Sequence, residues 1–424
     1  MEEIKVLRKK KTLVPKLRFK DFNDSWKKGT IGDYYENLRT GMTPSRTRPD
    51  YFKGDIPWIS SGELNYGYIE TTTESITQDA VDSTNLKIYP PNTLFIAITG
   101  LEAPGTRGKC GMNKVPAATN QSCLAFEEIP SVSTIFLFQW YKKNGIWLYY
   151  NFAQGTKQQS FNNKLVKGFI FNIPSLPEQK KIAAFLSAVD EKIQLLNHKK
   201  QLLELYKKGI MQQLFSGKLR FKDENGKTYP KREEKKLGDV LLVKSGFGFK
   251  AQEYSNEGIK LLQIENVSYG KIKWNENTIY LPTNYLKLYQ ELHLKENDIV
   301  IALNRPVTNN QLKISKISKA DEPSILYQRV GKLVFKKNDI SHEYIYQTFT
   351  VEVKKFVLTQ SIGSDQPFIS INALYKLKLS LPCFEEQKKI ADFLSAIDVK
   401  IESLSKQISQ TQNFKKGLLQ QMFV

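Results

Sequence analysis

Cysteine and histidine are both scarce in this sequence. A chain of 424 residues contains three cysteines and three histidines. No CxxC pair occurs, and no cysteine or carboxylate lies near a histidine at the spacing of metal ligands. The sequence therefore predicts neither a disulfide framework nor a zinc site. We expect a reduced, cytoplasmic setting and no bound metal.

Long apolar runs are also missing. The N-terminal stretch up to Lys16 contains a basic cluster but no apolar segment after it. No run approaches the roughly 18 apolar residues that a bilayer span requires. We therefore expect neither a secretory signal nor a membrane partner.

Catalytic signatures are absent as well. The sequence has no GxxxxGK[ST] loop and no GxGxxG after a strand. The run 172–175 (NIPS) lacks the second proline and the aromatic residue of an amino-methyltransferase motif, and the nuclease-like triplet 190–192 (DEK) lies within a predicted helix. The sequence thus predicts that this chain catalyses no reaction alone and binds no cofactor.

What the sequence has in excess is positive charge. It contains 63 basic and 43 acidic residues, for a formal net charge of +20. Such an excess favours a polyanionic partner, and nucleic acid ranks above a membrane because no basic amphipathic membrane helix accompanies it. A soluble protein that is merely basic is the alternative.

An internal repeat organises the chain. The segment Glu178–Phe215 returns as Glu386–Phe423, without a gap, 208 residues later. Both copies carry apolar residues alternately four and three apart, which predicts two helices that pair along a coiled-coil seam. Polar exceptions on the seam are Lys200 and Lys207 in the first copy and Thr411 and Lys415 in the second. The predicted seam comprises Ile182, Leu186, Val189, Ile193, Leu196, Ile390, Leu394, Ile397, Ile401 and Leu404.

The repeat extends beyond these helices. The hexapeptide Lys16–Asp21 recurs as Lys218–Asp223, directly after the first long helix. Short strand-like runs and one helix-like segment in each intervening region indicate a mixed composition, and each region should close with an alternating strand, at 169–174 and 377–382. We predict an α+β protein with an internal pseudo-two-fold repeat. Its predicted parts are a basic arm (1–15), a first domain (16–176), a spacer helix (177–216), a second domain (217–384) and a C-terminal spacer helix (385–424).

Side chains able to hydrogen-bond base edges cluster in apparent loops of both domains. Each cluster alone is weak evidence, because a polar loop is usually only a solvated loop. The candidates in the first domain are Arg46, Arg48, Arg107, Asn120, Gln121, Lys157, Gln158, Gln159, Asn162 and Asn163. Those in the second domain are Asn304, Arg305, Asn309, Gln328, Arg329, Ser364 and Gln366.

The chain resembles the specificity subunits of Type I restriction-modification systems. The resemblance is carried by the two EQKKIA-FLSA-D-KI helices ending in KKG…QQ-F, by Pro57–Ile69 (PWISSGELNYGYI), and by Thr119–Gln121 and Gly155–Thr156. The second domain departs from it, with Leu262–Ile264 where the first has Ile59–Ser61.

The resemblance implies a non-catalytic DNA reader. Two target-recognition domains would sit at opposite ends of a pair of antiparallel helices and each read one half of a split, asymmetric sequence in double-stranded DNA. The helices would set the spacing and dock two modification subunits, adenine methyltransferases that bind S-adenosylmethionine. Restriction subunits, which are motor-nucleases using ATP and Mg²⁺, would join for cleavage. Each long helix is about 57 Å long, so if it lay along the duplex it would cover at most ~17 base pairs.

Two other classes of protein remain open. A fused restriction enzyme would need the missing catalytic motifs. A coiled-coil DNA-binding adaptor or regulator would act without a methyltransferase partner.

Overall fold

The computed structural model describes residues 13–360 and 368–424. The chain divides into two compact units: Met1–His198 together with Lys406–Val424, and Lys199–Ser405. Each unit consists of one globular domain and the adjoining halves of the two long helices. We call them unit 1 and unit 2.

Unit 1 builds its domain on two small sheets. The five-stranded sheet has the order β1-β8-β5-β6-β3, and the three-stranded sheet has the order β4-β2-β7. The elements are β1 (Arg39–Thr40), β2 (Ile56–Ile59), β3 (Tyr68–Ile69), β4 (Ser75–Ile76), α1 (Gln78–Thr84), β5 (Leu94–Ala97), β6 (Cys110–Asn113), β7 (Ala118–Thr119), β8 (Cys123–Phe126), α2 (Thr134–Phe152), α3 (Asn163–Lys167) and α4 (Leu176–Phe215).

Unit 2 repeats this arrangement. A five-stranded sheet, β10-β20-β15-β18-β12, corresponds to the larger sheet of unit 1, and a four-stranded sheet, β13-β11-β19-β14, to the smaller one. The strands are β9 (Glu233–Lys236), β10 (Leu241–Ser245), β11 (Ile259–Leu262), β12 (Tyr269–Gly270), β13 (Tyr280–Leu281), β14 (His293–Leu294), β15 (Ile299–Ala302), β16 (Val307–Thr308), β17 (Gln311–Leu312), β18 (Ile314–Lys316), β19 (Ser324–Leu326), β20 (Val330–Phe335) and β21 (Lys378–Leu381). The helices are α5 (Leu237–Val240), α6 (Tyr285–Leu288), α7 (His342–Thr348), α8 (Lys354–Gln360), α9 (Ile371–Tyr375) and α10 (Phe384–Met422).

The central strand of each large sheet is apolar throughout because neighbours cover it on every side. Strand β5 pairs with β6 and β8, and strand β15 pairs with β18 and β20. All four side chains of each strand are buried. In β15, Ile299 and Ile301 belong to the core cluster that includes residues of α7, whereas Val300 and Ala302 belong to the cluster that includes β11 and β19 of the smaller sheet. The residues of β5 all lie in one core cluster with residues of α2. Neither strand therefore shows the alternation of a half-exposed strand.

The long helices contribute directly to the domain cores. In unit 1, Ile182 and Leu186 of α4 lie in the same core cluster as Leu418 and Met422 of α10. In unit 2, Met211 and Leu214 of α4 share a cluster with residues of α10 that include Ile390 and Leu394. In each unit the beginning of one helix therefore packs against the end of the other, which is an antiparallel arrangement.

Every predicted seam residue is at least half-buried. Those that are buried are Ile182, Leu186, Ile390, Leu394, Ile397 and Leu404. Those that are half-buried are Val189, Ile193, Leu196 and Ile401. The predicted α+β class, with a repeated mixed domain and two long helices, is confirmed.

One local prediction is wrong. The segment 169–174 forms isolated bridges, Ile170 to Thr30 and Ile173 to Lys27, instead of a regular strand. The backbone N–H of Gly29, between these bridges, donates to the side-chain oxygen of Asn172 at 3.4 Å, so a side chain takes a position in the ladder. The helix-like segment predicted in the second region is present, and its two α-helical parts, α7 and α8, are joined by a π-helical segment, Phe349–Val353.

Candidate nucleic-acid interface

One group of predicted DNA contacts lies where two loops of unit 1 meet. The backbone N–H of Gly41 donates to the carbonyl of Asn120 at 3.1 Å, and Thr43 donates to Gln121 at 2.6 Å. A Cβ on Gly41 would lie 1.6 Å from the carbonyl oxygen of Thr119, so this contact requires glycine. The fold thus brings Asn120 and Gln121 to the loop that carries Arg46 and Arg48.

Arg46 and Arg48 are exposed but already paired with acids. Arg46 donates to both oxygens of Glu74 and stacks on Phe52 with its guanidinium carbon 4.1 Å from the ring centroid. Arg48 pairs with Asp50 at 2.6 Å. The hydrogen bond from each arginine lowers the pKa of its carboxyl partner. Each arginine would exchange an intramolecular pair for a phosphate or a base.

A second group surrounds loop 155–160. The N–H of Leu101 donates to the carbonyl of Gln159 at 3.0 Å, and the N–H of Gln159 donates to Glu102 at 2.8 Å. These hydrogen bonds join loop 155–160 to the turns at 100–109, which carry Arg107. The guanidinium carbon of Arg107 lies 4.7 Å from the ring centroid of Tyr149. Lys157 and Gln158 are exposed in loop 155–160. Arg107, Lys157 and Gln158 therefore belong to one continuous surface.

Asn162 and Asn163 serve the fold. Asn162 is the N-cap of α3, and its side-chain oxygen accepts from the N–H of Leu165 at 2.9 Å. The side chain of Asn163 donates to the carbonyl of Leu38 at 3.3 Å. Polar composition alone could not separate these local roles from contact with DNA, because asparagine is favoured in both.

In unit 2, four candidates share one edge of the domain. The N–H of Leu303, which precedes Asn304 and Arg305, donates to the carbonyl of Arg329 at 2.9 Å. The N–H of Gln328 donates to the carbonyl of Phe247 at 3.0 Å. Arg305 and Arg329 have positive backbone φ angles of +45° and +65°. Residues other than glycine rarely adopt such angles, and those that do are often found at functional sites.

The remaining candidates of unit 2 lie elsewhere. Asn309 and Asn310 form the two-residue turn of the hairpin β16–β17, with φ angles of +50° and +56° that suit asparagine. The hairpin lines a groove of about 800 Å³ beside the helix pair, together with Lys207 and Asp398. Asn309 is therefore not grouped with Asn304. Ser364 and Gln366 lie outside the described residues.

The structure reveals a buried ion pair, present in both units, that the sequence did not predict. Arg18 of the first hexapeptide donates from Nε and Nη2 to the carboxylate of Glu178, both at 2.8 Å. Arg220 of the second hexapeptide binds Glu386 in the same way, and Arg232 joins it at 3.3 Å. The recurrence of both the hexapeptide and the EQKK sequence was the available signal.

A second polar cluster explains two of the seam exceptions. In unit 1, Asp190 of α4 accepts from Lys415 of α10 and, at 3.0 Å, from both Lys142 and Gln139 of α2. In unit 2, Asp398 of α10 accepts from Lys207 of α4 at 2.6 Å and from Gln347 of α7 at 2.8 Å. The lysines on the seam therefore bind an aspartate of the facing helix.

The helix pair carries an aromatic groove in unit 1. It has a volume of about 420 Å³ and is lined by residues that include Phe185, Val189 and Lys192 of α4 and Phe414 of α10. Phe185 is 37% exposed and Phe414 56% exposed. The equivalent positions in unit 2 carry Phe393, Ile397, Lys400 and Tyr206, of which Tyr206 is 51% exposed. We call the groove of unit 1 and the equivalent helix positions of unit 2 the paired grooves.

Neither a metal cluster nor a membrane helix is found within residues 13–360 and 368–424. No group of three or more histidine, cysteine, aspartate or glutamate side chains there is arranged to hold a metal ion. No helix of this part of the chain combines the length and the apolar character of a bilayer span.

Comparison with known proteins identifies the family. The family described as "Type I restriction modification DNA specificity domain" matches the chain twice, over residues 23–205 and 231–412. The chain therefore belongs to this family and carries two specificity domains. Both matches include part of a long helix as well as a globular domain.

Relatives agree with this assignment, and a solved structure shares the fold. The chain is 32% identical over 403 residues to the Type I restriction enzyme MjaVIII specificity subunit of Methanocaldococcus jannaschii, covering 93% of this chain and 91% of the relative. It is 25% identical over 395 residues to the MjaIX specificity subunit of the same organism, covering 89% and 88%. The crystal structure of a Type I S subunit from M. genitalium shares the fold, with a TM-score of 0.61, 18% identity, and coverage of 97% of this chain and 99% of that one.

Proposed function

We propose that this chain is the DNA-reading subunit of a Type I restriction-modification complex and that each unit reads one half of a split, asymmetric target. The supporting observation is that the framework repeats while the loops differ. The ion pairs Arg18–Glu178 and Arg220–Glu386 occupy equivalent places. In contrast, the turns at 100–109 in unit 1 correspond to the hairpin β16–β17 in unit 2. Two copies of one scaffold with different loops suit the reading of two different sequences.

Catalysis belongs to other subunits in this proposal. The chain is a specificity subunit and supplies recognition alone. Adenine methylation from S-adenosylmethionine, and cleavage driven by ATP with Mg²⁺, are the tasks of modification and restriction subunits in the cytoplasm. Lysines and arginines on this chain would bind phosphates and give salt-dependent affinity, whereas loop amides and arginines would contact base edges.

The test of this function is a map of adenine methylation in a host without other methylation. The chain is expressed with and without a Type I modification subunit. A split asymmetric motif that appears only when both are present supports the proposal. Complex formation without any methylation would favour a DNA-binding regulator, and failure to form a complex would favour an adaptor.

Replacing both Gln158 and Gln159 with alanine should change only the first half of the methylated motif. Gln158 is exposed for base contact, and Gln159 holds the loop through Tyr149 and Glu102. A well-formed amide contact discriminates against a wrong base by about 1–3 kcal/mol, so the altered position should become degenerate. The methylation map measures this directly.

The matched control is Gln328→Ala in unit 2, which should alter the second half alone. Equal weakening on all sequences by the first variant would instead assign Gln158 and Gln159 to phosphate contact. A change in both halves by either variant would contradict independent reading by the two units.

We also propose that the paired grooves each dock one modification subunit. Large aromatic side chains in a partly apolar groove are the usual anchors of protein interfaces. Replacing Phe414 with glutamate should remove the modification subunit docked on unit 1 and leave one per chain. Tyr206→Glu, made separately, should remove the subunit docked on unit 2. Native mass spectrometry of the purified complex counts the subunits.

Ile170→Glu is a suitable control for these variants, because Ile170 is 65% exposed in unit 1 but lies on neither long helix. It should retain both modification subunits. Retention of both subunits by the Phe414 and Tyr206 variants would place the docking surface elsewhere.

A further inference from the structure

An exposed aromatic surface lies at the C-terminal end of α2. Trp147 is 55% exposed and Tyr150 is 68% exposed. Ile146 and Phe152 beside them are 44% and 38% exposed, and the Trp147 and Phe152 rings contact edge to face with centroids 5.7 Å apart. We call these four residues the aromatic face. A contiguous exposed apolar patch commonly marks a binding surface, whereas exposed apolar residues that are scattered singly need no explanation.

The aromatic face adjoins the loops that carry predicted DNA contacts. The guanidinium carbon of Arg107 lies 5.9 Å from the ring centroid of Tyr150 and 4.7 Å from that of Tyr149. The hydroxyl of Tyr149 donates to the side-chain oxygen of Gln159. The aromatic face, the loop of Arg107 and the loop of Gln158 are thus parts of a single surface.

Two glycines fix the position of the helix end against the first loop. Gly108 has a φ angle of +62°, and a Cβ on it would lie 2.7 Å from the carbonyl carbon of Gly145 in α2. A Cβ on Gly145 would lie 2.6 Å from the carbonyl oxygen of Gly108. The two backbones are in direct contact, so Arg107 and the aromatic face are held in a constant relation.

The repeat shows that the aromatic character belongs to unit 1 alone. Positions 208 residues later carry Lys355 in place of Trp147 and Leu358 in place of Tyr150. The inward side of the helix is different: Tyr141 and its counterpart Phe349 are both buried aromatic residues. The outward side chains at these two positions have changed character, which is expected of residues that contact different sequences.

We propose that Trp147 and Tyr150 contact DNA bases of the first half-site, with Arg107 and Lys157 neutralising phosphates beside them. The inference rests on the proposed function. Aromatic rings interleaved with basic side chains are typical of nucleic-acid surfaces, where rings pack on bases, on thymine methyl groups or between base steps. A protein partner would not need the adjoining Arg107, Lys157 and Gln158, nor the overall charge of +20.

The test compares the variant W147A/Y150A with wild type, each assembled with its modification subunits. Titration with duplexes measures affinity for the mapped target and for duplexes altered in either half-site. We expect W147A/Y150A to bind the intact target about tenfold or more weakly than wild type does, as for removal of an aromatic side chain that contacts a base. Base changes in the first half-site should reduce the affinity of this variant less than they reduce that of wild type. The variant W147F/Y150F should retain most of the affinity, because the rings remain.

A second readout is independent of affinity. Trp147 is exposed, whereas Trp26, Trp58 and Trp140 are buried. Acrylamide should therefore quench Trp147 preferentially, and the intact target should protect it. The difference between wild type and W147F isolates this signal. The matched control K355A/L358A, at the equivalent helix positions of unit 2, should leave preference in the first half-site unchanged.

The outcomes separate the proposal from the function on which it rests. Equal affinity and equal base preference for W147A/Y150A, in an intact complex, would overturn the proposal. Loss of a modification subunit from that variant would also overturn it, by showing that the aromatic face docks protein. Absence of any sequence preference in the wild-type complex would refute the proposed function itself and, with it, this inference.

Discussion

Replacing Glu386 with alanine should destabilise unit 2 by about 3 kcal/mol. Its carboxylate has a side-chain exposure of 0% and binds two arginines, Arg220 at 2.5 Å and Arg232 at 3.3 Å. Arg232, whose side chain is only 7% exposed, would lose its anionic partner without gaining water. Removing one member of a buried ion pair is far more costly than the pair's net contribution, because a charge is left buried and unpaired.

Hydrogen exchange is the appropriate measurement, since it resolves the two units within one chain. The variant should accelerate exchange in α9, β21 and the first turns of α10, while amides of unit 1 keep their rates. The control is Glu234→Ala, which breaks the exposed pair with Lys378 and should cost between 0 and about 1 kcal/mol. Similar exchange for both variants would contradict the assignment of a structural role to Glu386.

The repeat made the general fold predictable from the sequence. The two copies of the long helix, at a constant spacing of 208 residues, predicted duplicated domains and paired helices. The spacing of apolar residues correctly predicted which faces of the two long helices are buried. Residues at the helical period share one face, and side chains such as Leu186 and Leu394 are buried on it. The hairpin β16–β17 and the π-helical segment of unit 2 depend on local hydrogen bonds, which leave no periodic signal in the sequence.

The polar residues were much harder to assign. The intramolecular hydrogen bonds of Asn162 and Arg46 could not be predicted from the sequence, because an asparagine at a helix start or an arginine paired with an acid looks the same there as one with no partner in the protein. Long-range pairs such as Arg18 with Glu178 join positions 160 residues apart, and only the fold brings them together. The exposure of Trp147 has no signal in the sequence either, because an isolated tryptophan in a helix usually indicates the core.

Replacing Asp190 with alanine should destabilise unit 1 by about 3–5 kcal/mol. Its carboxylate lies between Lys142 and Lys415, whose side chains are 8% and 11% exposed. Without Asp190, two lysines would remain close together in a poorly solvated place with no opposite charge. The triple variant D190L/K142M/K415M should recover most of the loss, because apolar side chains of similar size can replace a buried ionic cluster.

Tryptophan fluorescence in urea measures this effect, since four of the five tryptophans, Trp26, Trp58, Trp140 and Trp147, belong to unit 1. The pH dependence gives a second check. Burial lowers the pKa of Lys415 to about 8, below the value of about 10.4 for a lysine in an unfolded chain. Unfolding therefore takes up a proton between these pH values, and the free energy of unfolding should rise with pH across this interval.

In Lys415→Met this rise should disappear, because the group that takes up the proton is gone. Asp190 would then keep Lys142 as its partner at 3.0 Å. A pH profile of the Lys415→Met variant identical to that of wild type would show that Lys415 is not the titrating group. Stability of D190A equal to wild type would show that water reaches the lysines freely, so that the aspartate is not needed to hold the long helices against α2.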